Sequence, residues 1–183
     1  IMASVTVWTS TSTNLTQTRV AALMKATRAK GAAHDSVTLA GQTVDETTQS
    51  LSNAFHRLVN LTMPDPRLHI LAVIPLYEST ATQQLQVLHD ACASLKHQFT
   101  LHVLGLAPGI MPIFDGKTEE KEASDEFTKA VDLLKKLSEN ATFNFTFSLV
   151  DDYAENGSPI NFTMESFAHY IALIQIALMQ DYY

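Results

Sequence analysis

The chain has 183 residues, 46% of them hydrophobic and 17% charged, with a net charge of -7 and a single cysteine. That length suits one domain, and the apolar share excludes disorder and supports a core that needs no disulfide or metal staple. Twelve Lys and Arg residues dispersed through an acidic chain exclude the basic patch that a phosphate backbone requires, so no nucleic-acid partner is expected.

Two periodicities alternate along the chain. Residues 4–9 set Val5 and Val7 against Thr6, with Trp8 following, and predict a strand. Residues 14–30 predict a helix with Asn14 as N-cap, Gln17 three residues on, and Val20, Leu23 and Met24 on one face. A short strand is expected at 36–40, between Gly31 and Gly41. Thr43 and Glu46 then form a capping box ahead of Leu51, Ala54, Phe55 and Leu58 at i, i+3, i+4 and i+7, a second helix that Pro64-Asp65-Pro66 should end.

Residues 68–77 are almost wholly apolar, as a strand covered on both faces must be, with Pro75 interrupting the ladder near its end. Thr80 and Gln83 are expected to cap a third helix carrying Leu88, Ala91, Cys92 and Leu95. Residues 99–107 form another apolar strand, and 108–123 are expected to be a long loop. Ser124 is expected to cap a fourth helix, with Asp125 and Glu126 suiting its dipole and Phe127, Ala130, Val131 and Leu134 facing the core. Residues 143–150 alternate Phe143, Phe145, Phe147 and Leu149 against Asn144, Thr146 and Ser148, so one face is less buried. A turn-rich loop over 151–160 leads to a final helix over 162–180.

Strand and helix repeating in this way lead to a mostly parallel sheet with helices on both faces, because parallel crossovers are right-handed. The expectation is a Rossmann-like, three-layer α/β/α sandwich: one domain over residues 1–183, complete or cut from a longer chain. A lone cysteine fits a cytoplasmic, reducing setting. The Asn-x-Ser/Thr triplets, at Asn60, Asn140, Asn144 and Asn161 among others, read as coincidence in so Thr-rich a chain. The apolar run of the last helix is broken by His169, Tyr170 and Gln175, so no membrane span is expected.

Ligands of open α/β sheets bind outside the carboxyl ends of the strands. Here those ends carry Ser10 and Ser12 after the first strand, Glu78 after the residue 68 strand, and Asp151 and Asp152 after the last. Hydroxyls and carboxylates gathered at one edge could bind a small ligand or a hard cation such as Mg²⁺. They could equally serve as helix caps and turn formers.

The run Val7-Trp8-Thr9-Ser10-Thr11-Ser12 is similar to the metal-holding Asp-x-Ser-x-Ser motif of von Willebrand type A domains. Ser10 and Ser12 match its serines, and Trp8 stands in place of its aspartate. The resemblance therefore implies a related fold whose metal site has lost its main anionic ligand.

No glycine-rich nucleotide loop, Gly-Lys-Ser/Thr pair or G-x-S-x-G elbow occurs, and no cofactor is expected. Cys92 sits on an apolar helix face and reads as an inert thiol. The seven histidines show no metal-binding spacing. Asp151, Asp152 and Glu155 could pair as acid and base, but with Tyr153, Asn156 and Gly157 beside them they read as a polar turn.

Two apolar segments suggest partners. Ile110, Met111, Ile113 and Phe114 lie where a polar loop is expected, and must either cover the strand ends or present a sticky surface. The final helix has hardly any polar face, so it is buried on several sides or meets another chain through Ile176 and Met179. The leading functional expectation is accordingly a non-catalytic protein-interaction or scaffold domain, associating with itself or a partner. The alternative is a small-ligand- or divalent-cation-binding enzyme of the hydrolase class, using the polar strand ends.

Overall fold

The computed structural model describes residues 2–26, 32–61, 67–114 and 119–180. Five strands form one all-parallel sheet: β1 (Met2–Trp8), β2 (Ala32–Thr38), β3 (Arg67–Pro75), β4 (Phe99–Leu106) and β5 (Asn144–Val150). Their order across the sheet is β2-β1-β3-β4-β5. The helices are α1 (Asn14–Ala26), α2 (Val44–Leu61), α3 (Ala81–Ala93), the short α4 (Met111–Phe114), α5 (Glu120–Asn140) and α6 (Met164–Gln180). This is the expected three-layer α/β/α sandwich.

The period of two along each strand sorts side chains into two cores. Val5, Val7, Ile70, Ala72, Leu101 and Val103 face α2, α3 and α5, whose Leu51, Phe55, Leu85, Leu88 and Leu134 complete one apolar core. Trp8, Leu71, Val73 and Leu104 point the other way, against Val20 and Met24 of α1 and Phe167 and Ile171 of α6. The apolar run of β3 is explained by this position: β3 is central, and residues 68–77 are all buried.

The capping box forms as expected. The Glu46 backbone amide donates to Thr43 Oγ1 at 3.2 Å, and the Thr43 hydroxyl donates to Glu46 Oε1 at 3.1 Å. Three other helix starts differ. Ser10 heads a 3-10 turn (Thr11–Thr13), its Oγ accepting from the Ser12 amide, so Asn14 continues a helix already begun. Thr80 precedes α3 but makes no side-chain cap bond. Ser124 lies inside α5, which begins four residues earlier: Glu119 is its N-cap, the Ala123 amide bonds the Glu119 carbonyl, and Glu120 and Glu122 supply the first-turn charge. The Glu-Lys-Glu-Ala run is strongly helix-forming and buries Ala123, which carries the helix back past the serine.

Within the expected loop over 108–123, the described residues include a 3-10 turn (Pro108–Ile110), α4 and the start of α5, and 115–118 lie outside the described residues. Pro64-Asp65-Pro66 and the expected end of α1 at Lys30 lie outside the described residues.

Candidate functional site

β1 and β3 are neighbours, yet the chain leaves them on opposite faces, into α1 and into α3. Such a divergence opens a crevice at the carboxyl edge of the sheet, the usual place for a ligand in doubly wound folds. Three of the five residues anticipated there are brought together. Ser10 and Ser12 donate to Glu78 Oε1 at 2.8 and 2.7 Å, and their two hydroxyl oxygens lie 2.9 Å apart. The carboxylate thus stitches the loop after β1 to the loop after β3.

Asp151 and Asp152 are placed elsewhere. They follow β5, three strands from β1, or about 14 Å at the usual interstrand spacing. Asp151 Oδ1 accepts from the Asp152 amide at 2.8 Å, and Asp152 Oδ1 accepts from the Phe162 amide at 2.8 Å. Both carboxylates therefore shape the turn leading to α6. A bridge between Tyr153 and Pro159 and a bond from the Ala154 amide to the Ser158 carbonyl complete that turn.

Among the described residues no group of three His, Cys, Asp or Glu side chains could hold a metal ion. Trp8, at the position of the aspartate in the von Willebrand-type motif, is fully buried against Val20, Met24 and Phe167. It contributes to the core what the aspartate would contribute to a metal.

On the α2/α3 side of the same edge lies a cleft of about 450 Å³, counting its open mouth. Thr9 and Thr47 lie deepest, at 1% and 0% exposure, and Leu39, Val87 and Leu88 give it an apolar wall. Gln42, Thr80, Gln83 and Gln84 line the rest, so none of the described lining side chains is ionisable. The turn at its lip needs Gly41, whose φ of 72° sits at the third position of a turn closed by the Gln42 amide on the Leu39 carbonyl.

Three buried polar atoms of the lining have no partner among the described residues: Thr9 Oγ1, Thr47 Oγ1 and Gln84 Oε1. The Gln84 amide orientation is fixed by its surroundings. Its nitrogen donates to the Thr9 carbonyl, which can only accept, so the oxygen is the end left over. Buried polar groups are nearly always paired, and an unpaired one costs about 1–3 kcal/mol. Three such atoms cluster at this cleft, while Thr6 Oγ1, Thr16 Oγ1 and both amide atoms of Gln175, on the α1/α6 side, are likewise unpaired among the described residues.

None of these three residues was singled out from sequence, although a signal existed. Thr47 stands four residues before Leu51 on the buried stripe of α2, and Gln84 lies between Ala81 and Leu88 on that of α3. A polar residue on an apolar stripe is the pattern to look for.

The remaining candidates fold inward. Ile110 is fully buried and Met111 nearly so, while Ile113 and Phe114 pack on the same core, with the Phe114 and Phe167 rings 5.4 Å apart. The segment thus covers the strand ends, the first of its two expected roles. α6 turns Phe167, Ala168, Ile171, Ala172 and Gln175 inward, leaves Ile176 half-buried and exposes Leu173 at 66%. The Met179 side chain lies outside the described residues. Cys92 is 1% exposed, and burial pushes its thiol well above the usual range, so it carries no thiolate. No described helix is long and apolar enough to cross a membrane.

No protein-family model, no curated protein and no solved structure matches this chain.

Proposed function

We propose that this protein is a binding domain for a small polar molecule, held in the cleft between the ends of β1 and β2 and the starts of α2 and α3. The observation that carries this reading is the set of buried, unpartnered atoms Thr9 Oγ1, Thr47 Oγ1 and Gln84 Oε1 lining one cleft. Ser10, Ser12 and Glu78 act beside it as a brace that fixes the loop carrying Thr9. The lining offers hydrogen bonds and an apolar wall but no titrating group, so it supports binding rather than acid-base or nucleophilic chemistry.

Thr47→Val is nearly isosteric and tests the reading directly. If the hydroxyl is kept for a ligand, its removal relieves an unpaired buried group and raises stability by about 1 kcal/mol or more. A ligand that raises the Tm of the natural protein must also lose that effect in the variant. If Thr47→Val unfolds more easily than the natural protein, the hydroxyl is structural and the reading fails.

A second reading, a protein-interaction or scaffold role, is favoured by one feature. Leu173 of α6 and Leu15 of α1 are 66% and 65% exposed on the same helical layer. Light scattering of the natural protein beside Leu173→Glu separates the readings. Self-association lost in the variant supports docking through this layer, and a natural protein that stays monomeric at high concentration counts against it.

A further inference from the structure

We infer that the outer edge of β5 is a self-association surface: β5 of a second copy of this chain pairs with it antiparallel, about a two-fold axis through Phe147, to give one continuous sheet. The inference is independent of the ligand-binding reading above.

The edge is open, and its backbone groups can be assigned. β5 ends the strand order, and among the described residues no strand pairs with its outer side. The Val150 carbonyl accepts from the Ala107 amide at 2.8 Å, so Val150 turns its backbone groups towards β4. By the period of two, Asn144, Thr146 and Ser148 do the same, and the amides and carbonyls of Phe145, Phe147 and Leu149 point outward. Native edges are guarded by charge, proline or a bulge. β2, the opposite edge, carries Asp35 at its centre, held by Arg57 at 2.6 Å. β5 reads Asn-Phe-Thr-Phe-Ser-Leu-Val, rich in strand formers and without a charge, proline or glycine.

Self-complementarity selects a second copy as the occupant. Antiparallel pairing centred on Phe147 sets Phe147 against itself, Phe145 against Leu149 and Thr146 against Ser148. The outward backbone groups then meet in hydrogen-bonded pairs, each exchanging two bonds. The same register matches the faces, apolar with apolar on the α5 side and hydroxyl with hydroxyl on the other. Phe145 and Phe147 are only half-buried and Leu149 is 45% exposed, although that face is core elsewhere, and the copy supplies the neighbours they lack. Tyr153 and Ile160, in the loop that follows, are exposed as well.

Charge permits the contact and area sets its strength. In a chain of net charge -7, the antiparallel arrangement holds the acidic ends at Asp151 and Asp152 about 25 Å apart, well beyond a Debye length of about 10 Å. Seven residues make the contact about 23 Å long, and the sheet with its α5 layer about 20 Å deep, so two copies bury on the order of 900 Å² together. That lies at the weak, reversible end of specific interfaces. The guarded β2 edge stops growth at two copies.

Sedimentation of the whole chain from micromolar to millimolar concentration is the test, and a reversible monomer–dimer equilibrium is expected. Ser148→Glu, on the exposed face, sets like charges diagonally across the axis and weakens the dimer about threefold to tenfold. Adding Thr146→Lys pairs opposite charges across the two strands and restores it. Leu149→Pro deletes an outward amide, leaves the β4 ladder intact and abolishes the dimer. Circular dichroism at low concentration confirms that the variants are folded, and the charge pair carries the test if the proline variant is not. Amide exchange locates the contact. In the dilute monomer β5 is the least protected strand, and raising the concentration slows Phe145, Phe147 and Leu149 alone within it. A chain that stays monomeric at every concentration overturns the inference. So does a dimer indifferent to Ser148→Glu and Leu149→Pro, or one lost in Leu173→Glu, which places the contact on α6 instead.

Discussion

Two polar contacts of single residues set measurable limits on stability. Glu78 Oε1 receives both serine hydroxyls, and Ser10 is only 5% exposed, so removing the carboxylate leaves a nearly buried hydroxyl without its acceptor. Glu78→Ala should lower unfolding free energy by about 1.5–3 kcal/mol, the usual range for hydrogen bonds to a charged group, and Glu78→Gln by less. Urea denaturation with an unchanged m-value checks this. His34 makes a pH-dependent contribution. Its Nδ1 lies 3.0 Å from Ser4 Oγ, and burial pushes its imidazole down to about 4, against the weaker upward pull of Asp35. Between roughly pH 4 and 6.5 the unfolded chain therefore binds a proton that the folded chain refuses. The stabilisation is complete above the ordinary histidine value and is lost as pH falls through about 4. The loss is at most about 3 kcal/mol from this residue, and burial lowers His102 in the same direction. Urea midpoints at pH 7 and pH 4.5 should converge in His34→Gln relative to the natural protein, and an unchanged difference would show that His34 is not the titrating group.

Elements join one another at close approaches that a single methyl group can probe. A Cβ on Gly105 of β4 would lie 2.5 Å from Leu76 Cδ1 and 3.0 Å from Leu149 Cδ2, and Leu76 is fully buried. Overpacking there has no easy outlet, so Gly105→Ala should cost about 1–3 kcal/mol. A Cβ on Gly109 would meet Asp151 Oδ1 at 1.9 Å, but Asp151 is exposed and can swing out. The loss is then its bond to the Asp152 amide, about 1 kcal/mol. Thermal unfolding should rank Gly105→Ala below Gly109→Ala, and the reverse order would mean that the α6 turn is held more tightly than its exposure suggests. Phe167 joins more elements than either glycine, with the rings of Phe114 and Phe162 5.4 and 5.5 Å away. Phe167→Ala should cost about 3–5 kcal/mol and loosen α4 as well as α6. At this scale much was legible in the sequence. The apolar run of β3, the stripe of α2 and its capping box all express local periodicity that burial then reinforces. The start of α5 was not, because Ser124 has the chemistry of a cap while the residues before it have the propensity of a helix, and propensity prevailed. Nor was the cleft, because Thr47 and Gln84 acquire significance only when strand order sets α2 and α3 side by side.

The whole molecule is asymmetric across its sheet, and the sequence carries that asymmetry only as a difference between strands. The α2/α3/α5 layer spans the sheet, whereas α6 packs over β1 and β3, and α1 lies against α6 and reaches β2 through the Gln17 bonds to Thr38. Beyond them, the α6-side residues of β5, Asn144, Thr146 and Ser148, remain exposed, which explains the alternation of Phe145 and Phe147 with polar neighbours. Register extends the same pattern to β4, where His102 pairs with Thr146 and bonds its hydroxyl through Nδ1 at 2.6 Å. Local stability should follow this geometry, since opening needs fewer broken contacts where a strand has one neighbour and one covered face. Amide hydrogen exchange should therefore be slowest in β3, which is paired on both sides and buried on both faces, and close to it in β1. β5 should exchange fastest of the five, ahead of β2, whose residues from His34 to Val37 are at least half-buried and whose Asp35 is tied to α2 by Arg57 at 2.6 Å. Protection in β5 equal to that of β3 would mean that its polar face is covered in solution, and by elimination that a second chain lies on it. That outcome would move weight from the small-molecule reading to the docking one, and light scattering of the same sample would show whether the second chain is another copy.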